Sequence, residues 1–504
     1  VYSQAYRTRE VGLSQKPGAF AQSDLVKIRM PLMCGKRRAA RYRMCNEELF
    51  VPGYCPIHAD TNDPLTMLDG YLKRVLRDLP KPIQSTLLRF EKFVWQYCVD
   101  NYEPLTWLMN YRQWVDERPY DLNRKKQLDA AYEATSGRFP PLNECHAVKA
   151  FGKTEVFDEL KCPRMIHSRV DKVKVHFGPV FASIGKVVYQ DKHFVKEISI
   201  PDRAKLILDL NVPGWKFFVS DYKAFESHMT PELMHICECA LYRHMLRNFP
   251  DLADKIERVL TGVNDCRTQC GLKVSLPGRR MSGEMCTSLG NGFTNLMVVS
   301  FIMSEMHSKF EGYVEGDDGI FACEKLPTVE QFAELGFSIK ISEIPNPCVG
   351  SFCGLIMGPD AQIVRDPRKF MMHFAFTHSF TGARQFMMDR LMRAKALSAL
   401  YETPHCPIVG VMARRALLLT RGVRPKYVWD GYHKLPPDEF PIPEFSPTLR
   451  TRMLFQDKYG ISIPIQLQAE AFINEGRADL VSLIVPPTSD QLWYAADYGP
   501  RFIT

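Results

Sequence analysis

At 504 residues, with 45% hydrophobic and 24% charged side chains, the chain has the composition of a soluble globular protein with two or three sub-domains and a large buried core. Lysine and arginine outnumber aspartate and glutamate by 65 − 57 = 8, an excess that suits a nucleic-acid partner without demanding one. No apolar run reaches membrane-spanning length, the first residues form neither a signal peptide nor a Met start, and the 15 cysteines read as reduced thiols, so a membrane span and a disulfide framework are excluded and a soluble, cytosolic processed product or fragment is expected.

In chain order, residues 27–43 carry seven basic side chains and no acidic one. Cys34, Cys45, Cys55 and His58 form Cys-x10-Cys-x9-Cys-x2-His, four zinc-competent ligands that ordinary buried thiols would explain equally well. Trp95, Trp107 and Trp114 stand in helical-looking surroundings, and residues 146–196 hold ten basic against five acidic side chains. Lys216, Phe217, Phe218, Val219 and Ser220 read as a short buried strand that delivers Asp221 at its end. Thr230-Pro231 pairs an N-cap with a first-turn proline and predicts a helix start, with Pro250 as its stop.

Residues 280–291 read as a flexible glycine loop running into a long helix. On that helix Thr287, Asn291 and Asn295 recur every fourth residue and share one face, while Leu289, Phe293, Leu296 and Met297 share another. Such a polar stripe ordinarily meets solvent; between a glycine loop and a carboxylate turn it is at least as well placed to meet a substrate. That turn is Val314-Glu315-Gly316-Asp317-Asp318-Gly319-Ile320-Phe321, two adjacent carboxylates between β-capable runs. Alone, Gly-Asp-Asp is ordinary chemistry for a solvated hairpin tip. With Asp221 ending another strand upstream, it has the spacing that a two-metal nucleotidyl-transfer site needs. Residues 337–341 alternate as a half-buried strand with Ser338 and Lys340 on one face. Asp366-Pro367 opens a helical region, with helices expected over 383–402 and 407–421 and a stop at Gly422. Pro-rich stretches at 435–447 and 485–488 are the nearest things to linkers.

Taken in this order, the motifs resemble those of the RNA-dependent RNA polymerases of positive-strand RNA viruses. Asp221, then Ser282-Gly283-x3-Thr287-x3-Asn291, then Gly316-Asp317-Asp318 are similar to palm motifs A, B and C. Lys153-Thr154-Glu155-Val156-Phe157 and Lys161-Cys162-Pro163-Arg164-Met165-Ile166, with Arg169 beyond, resemble the basic fingers segment, motif F. Glu334-Leu335-Gly336-Phe337-Ser338-Ile339-Lys340-Ile341 resembles motif D, and Ser351-Phe352-Cys353-Gly354-Leu355 the primer-grip hairpin, motif E. Within the family, residues 271–291 look most like the tombusvirus-type enzymes, and the Lys-x-Glu-Val-Phe opening also resembles flavivirus relatives such as the hepacivirus polymerase.

The resemblance implies an α+β right-hand fold of fingers, palm and thumb, with an antiparallel palm sheet flanked by helices and a largely helical thumb. Residues 1–145 would form an N-terminal extension and the start of the fingers, 146–213 and 265–281 the fingers, 214–264 and 282–358 the palm, and 359–504 the thumb and C-terminal tail. It implies template-directed RNA synthesis from NTPs, magnesium with manganese as a substitute, template and product RNA, and other viral replication proteins as partners. The setting implied is a replication complex in the host cytoplasm, with membrane association only through partners or a missing segment. Asp221 and Asp317 would be metal ligands, and Asp318 a weaker or outer one, since adjacent turn residues cannot aim equally at one ion. Lys153, Lys161, Arg164 and Arg169 would meet the triphosphate. Lys340 would protonate pyrophosphate, although a lysine on an exposed strand face is often merely solvated. Ser282, Gly283, Thr287 and Asn291 would surround the sugar. Where the family usually has aspartate, this chain has Glu226, a carboxylate one methylene longer. Glu226, together with Gly316 ahead of the aspartate pair, disfavours a reverse transcriptase. Intact Asp221, Asp317, Lys153 and Arg164 disfavour a non-catalytic RNA-binding factor on a decayed polymerase fold.

Overall fold

The computed structural model describes residues 26–31, 41–428, 440–497 and 499. Its central sheet forms because Phe217 and Phe218, with Ile320 and Phe321 on the neighbouring strand, have apolar surface to hide on both faces. The sheet is antiparallel, in the order Ile339–Ile344, Lys216–Tyr222, Asp318–Cys323, Phe310–Glu315. Phe218 stacks on Phe321 with ring centroids 5.1 Å apart. Against it lies the helix Thr287–Glu305, in which every residue from Leu289 to Met303 is buried, as expected of a helix enclosed on all sides. The helix Gln84–Asn101 closes this core from outside, Phe90 meeting Phe301 edge-on at 5.3 Å.

A second, five-stranded sheet gathers distant segments: Lys27–Arg29, Lys273–Leu276, Asn264–Thr268, Ala147–Gly152 and Met165–Arg169. Ala147–Gly152 and Asn264–Thr268 run parallel, and the other pairs are antiparallel. A small sheet follows the central one, with a hairpin from Ser351–Phe352 to Leu355–Met357 and a third strand, Ile363–Val364. Cys353 and Gly354 turn that hairpin at φ +54° and +75°. Beyond it the chain is helical. Asp366 caps Pro367–Phe374 as expected, and Gln385–Glu402 and Val409–Leu419 follow, with Gly422 at φ +78° after the stop.

Four features depart from the expectations. The helix opened by Thr230 breaks at Cys237 into Pro231–Ile236 and Glu238–Met245, and Pro250 starts Pro250–Thr261 rather than ending its predecessor. A proline lacks only an N–H that the first turn leaves unpaired anyway, so it begins helices as readily as it stops them. Trp107 lies outside any helix, whereas Trp95 and Trp114 lie within helices. Leu449–Tyr459, Ile463–Asn474 and Ser489–Asp497 are helices whose bounds the sequence reading does not give, although Thr448 caps the first and Pro464 lies in the first turn of the second. Finally, Tyr42, Cys45, Leu49, Val51 and Tyr54 share a core with Phe370, Met388 and Met412, so the N-terminal segment packs on the C-terminal helices. Residues 32–40 of the basic run 27–43 and 435–439 of the Pro-rich stretch 435–447 lie outside the described residues. Among the described residues no helix is long and apolar enough to cross a membrane.

Candidate active site

The carboxylate turn joins two paired strands, Phe310–Glu315 and Asp318–Cys323, through Gly316 at φ +63°, a conformation that costs glycine nothing. The strand Lys216–Tyr222 pairs along Asp318–Cys323 as far as Ser220 opposite Gly319, which puts Asp221 beside Asp318. On its other flank Asp221 stands opposite Lys340, so both project from the same face. The turn is held from behind by Asn295, whose Nδ2 donates to the carbonyls of Gly316 and Asp318 at 3.3 and 3.2 Å while Tyr222 Oη donates to its Oδ1 at 3.1 Å. Asn295 thus braces the carboxylate turn, whereas Thr287 and Asn291 of the same stripe line the cleft.

Asp317 and Asp318 open onto a cleft of about 860 Å³. Desolvation at the cleft floor, followed by the carboxylates of Asp317, Glu315 and Asp221, pushes the Asp318 carboxyl up to about 7. Asp317 is raised by burial and then by Glu226, which stands in the short helix Phe225–His228. Oxygen-only donors crowded beyond their comfortable charge are a fit for hard divalent cations. Among the described residues no three His, Cys, Asp or Glu side chains are grouped as a metal site.

The raised Asp318 has a testable sign. Its folded value lies above the ordinary 3.8, so its contribution to stability is fully present below pH ~4 and is lost as pH rises through ~7. In chelator-containing buffer at pH 8, Asp318→Asn is therefore expected to unfold at a higher temperature than the parent. The gain is on the order of 1 kcal/mol after allowance for solvent screening, and it shrinks toward pH 4. Thermal unfolding of both proteins across that range checks it; equal midpoints at pH 8 would refute the charge crowding.

Of the basic residues expected near the triphosphate, Lys153 and Arg164 line the cleft. Arg164 Nε donates to Glu155 Oε1 at 2.6 Å, and Lys153 approaches the same carboxylate at 3.7 Å. Burial, and after it the Arg164 guanidinium, hold the Lys153 ammonium below its usual range. Lys161 instead pairs with Asp158 and Glu159 at 3.0 and 3.1 Å, outside the cleft lining. Arg169 is corrected to a scaffold residue: it is buried, pairs with Glu284, and donates to the carbonyls of Cys145 and Val259 and to Asn264 Oδ1. With all three guanidinium nitrogens engaged in the interior and the side chain 2% exposed, it does not reach a phosphate in the cleft.

Ser282, Thr287 and Asn291 line the cleft together. Ser282 Oγ donates to Met165 O at 2.7 Å and Gly283 N to His167 O at 2.8 Å, fastening the glycine loop to the five-stranded sheet. A Cβ at position 283 would lie 2.8 Å from that carbonyl, so only glycine allows the approach. The opposite wall comes from distant sequence: Lys196 and Arg203, both paired with Glu315, then the Cys353-Gly354 turn, and Arg365, Lys369 and Lys395. Lys369 also reaches Asp158 at 3.1 Å, tying the C-terminal helices to the basic segment across the cleft. Apart from the Cys353-Gly354 turn, no local motif marks these residues.

The zinc expectation is not met by the ligands that can be placed. Cys34 lies outside the described residues. Cys45 is buried in the C-terminal helical core, Cys55 packs with Ile57 and Tyr494, and His58 Nδ1 meets Pro56 O at 2.8 Å. Burial pushes the Cys55 thiol up to about 11, and among the described residues no three His, Cys, Asp or Glu side chains are grouped as a metal site. These thiols are core residues.

Residues 217–343 match the family described as viral RNA dependent RNA polymerase. The chain is similar to the RNA-directed RNA polymerase of Tobacco necrosis virus (strain A), 24% identical over 390 residues covering 67% of this chain and 50% of the relative. It is also similar to the RNA-directed RNA polymerase of Oat chlorotic stunt virus (isolate United Kingdom), 26% identical over 270 residues, 48% of this chain and 35% of the relative. The chain thus spans half or less of the length of these relatives. The resemblance carried by the motifs, to polymerases of positive-strand RNA viruses of the tombusvirus type, is borne out.

Proposed function

We propose that the chain is an RNA-directed RNA polymerase that joins nucleoside triphosphates to the 3′ end of RNA on an RNA template. The observation that carries this reading is the adjacency of Asp221, near the end of one strand, to Asp318 on its neighbour, where Asp317 and Asp318 line a cleft that also presents Lys153, Arg164 and the Ser282–Asn291 face. Asp221, Asp317 and Asp318 would hold magnesium or manganese ions, which supply activation of the attacking hydroxyl and neutralisation of phosphoryl charge.

The chain's own residues do the rest. Lys153 and Arg164 offset the triphosphate's charge and turn its α-phosphorus toward the attacking oxygen. As the new P–O bond forms, the bond to pyrophosphate breaks, and Lys340, exposed beside Asp221, is placed to give the leaving group a proton. Glu226 and Asn291 read the ribose hydroxyl. The central sheet with the helix Thr287–Glu305 serves as the palm, the five-stranded sheet and basic segment as the fingers, and the helices after residue 358 as the thumb. Template RNA, nucleotides and other viral replication proteins in the host cytoplasm are the partners, and genome replication and transcription the role.

The test is to incubate the purified chain with each homopolymeric RNA and one labelled nucleotide at a time, with magnesium or manganese and with or without a primer. Incorporation restricted to the complementary nucleotide supports the reading, and none under any condition contradicts it. The carboxylate that departs from the family pattern adds a prediction. Glu226→Ala is expected to lower the preference for GTP over dGTP by about tenfold or more, since a hydroxyl-reading site discriminates only while its polar partner is in place. Glu226→Asp, too short for this pocket, is expected to lose activity. An unchanged GTP:dGTP ratio in the alanine variant would remove Glu226 from sugar recognition.

A further inference from the structure

Behind the cleft wall lies an ion pair with no access to solvent. Arg280, in the loop before the helix Thr287–Glu305, and Glu238, at the start of Glu238–Met245, both have 0% side-chain exposure and meet at 2.5 Å through Nη2 and Oε2. Tyr242 Oη donates to the same Glu238 oxygen at 2.9 Å, and Arg280 Nη1 contacts Cys286 Sγ at 3.3 Å. Gly290 passes directly over the pair, and a Cβ there would overlap both Glu238 Oε2 and Arg280 Nη2. Burying two charges costs several kcal/mol per ion, and an apolar pair of similar volume is often as stable or more so. Stability alone is therefore a poor reason for this arrangement.

The remaining arm of the guanidinium supplies a better one. Arg280 Nε donates to Asn291 Oδ1 at 3.0 Å. An arginine nitrogen can only donate, so this bond decides which end of the carboxamide is oxygen. Among the described residues the bond from Arg280 is the only one to the carboxamide, so the Nδ2 end is left for the cleft that Asn291 lines. A sugar hydroxyl can accept a hydrogen bond from one group while donating to another. Glu226, as a carboxylate, offers only acceptors, so the site reads a hydroxyl in both senses only if Asn291 presents its N–H.

We propose that Arg280, clamped by Glu238, is a positioning residue that fixes the orientation of the Asn291 carboxamide and thereby sets the preference for ribonucleotides over deoxyribonucleotides. This rests on the polymerase reading of the cleft. Without the clamp the carboxamide can rotate half a turn and oppose one acceptor with another, which the hydroxyl cannot satisfy. The orientation is prepaid by the fold, and contacts held in place before binding discriminate best.

The test compares incorporation efficiency of GTP and dGTP on poly(C) by the parent, Arg280→Lys, Asn291→Ala and the double variant, with thermal unfolding as the measure of folding. Lysine keeps the charge opposite Glu238 but has one ammonium group in place of a fork, and cannot serve Glu238 and Asn291 together. Arg280→Lys is expected to lower the GTP:dGTP ratio by about tenfold, Asn291→Ala by a similar factor, and the double variant no further than Asn291→Ala alone. A merely structural arginine would not give that non-additivity. A parental ratio in Arg280→Lys, or factors that multiply in the double variant, would overturn the proposal. Should Arg280→Lys fail to fold, Asn291→Asp decides: it keeps an acceptor for Arg280 but turns an oxygen to the cleft, so the ratio falls in a fully folded protein, and an unchanged ratio overturns the proposal. A parent that incorporates neither nucleotide overturns the polymerase reading and this inference with it. A parent that prefers GTP while Arg280→Lys does so equally overturns this inference alone.

Discussion

Asp317→Asn is expected to lower nucleotide incorporation by about a thousandfold or more while changing RNA affinity by less than about threefold. The substitution is nearly isosteric, so the turn held by Asn295 should keep its shape. What it removes is one of the two adjacent carboxylates that line the cleft, Asp317 beside Asp318, and with it charge that would draw a divalent cation. Loss confined to the chemical step should appear as a fall in kcat with KM for the nucleotide little changed. Single-nucleotide incorporation on a primed template, with filter binding of the same RNA, measures both. Incorporation within about tenfold of the parent would remove Asp317 from the reaction.

The next largest effect is expected at a residue that never meets substrate. Asn295→Ala takes away both donors to the turn, to Gly316 O and Asp318 O, and the acceptor of Tyr222 Oη. Tyr222 and Asn295 are buried, so the tyrosine hydroxyl would be left without its partner at a cost on the order of 1–3 kcal/mol. The turn would also be free to shift, and a misplacement of about 1 Å at a reacting group can cost about a hundredfold in rate. Denaturant unfolding should show the stability loss and single-turnover incorporation the rate loss. A variant as stable and as fast as the parent would show that the turn holds itself.

What could be read from the chain alone follows from how local each signal is. Asp221 ends a strand of apolar residues, Gly316 must turn at positive φ, and Asp366 and Pro367 cap a helix by contacts within one turn; each needs only its neighbours. Asn295 was placed on the correct helical face with the wrong task, because its partners are carbonyls more than twenty residues away. Arg169 and Lys161 depart for a different reason. Both belong to the basic segment, but the fates of their charges depend on Glu284 across the fold and on Asp158 and Glu159 close by, and composition does not distinguish a cation meeting a phosphate from one meeting a carboxylate. The packing of Tyr42–Tyr54 against the C-terminal helices had no signal, since buried apolar residues name no partner. Glu238 and Arg280 likewise carry no motif that joins them.

The account stands or falls on whether synthesis follows a template. The most direct measurement is to supply the purified chain with a heteropolymeric RNA of known sequence, all four NTPs and magnesium, and to sequence the product strand. The complement of the template, absent when Asp221→Asn replaces the parent, is the result predicted. Homopolymeric tails that ignore the template, or the same product from the Asp221→Asn protein, would contradict it.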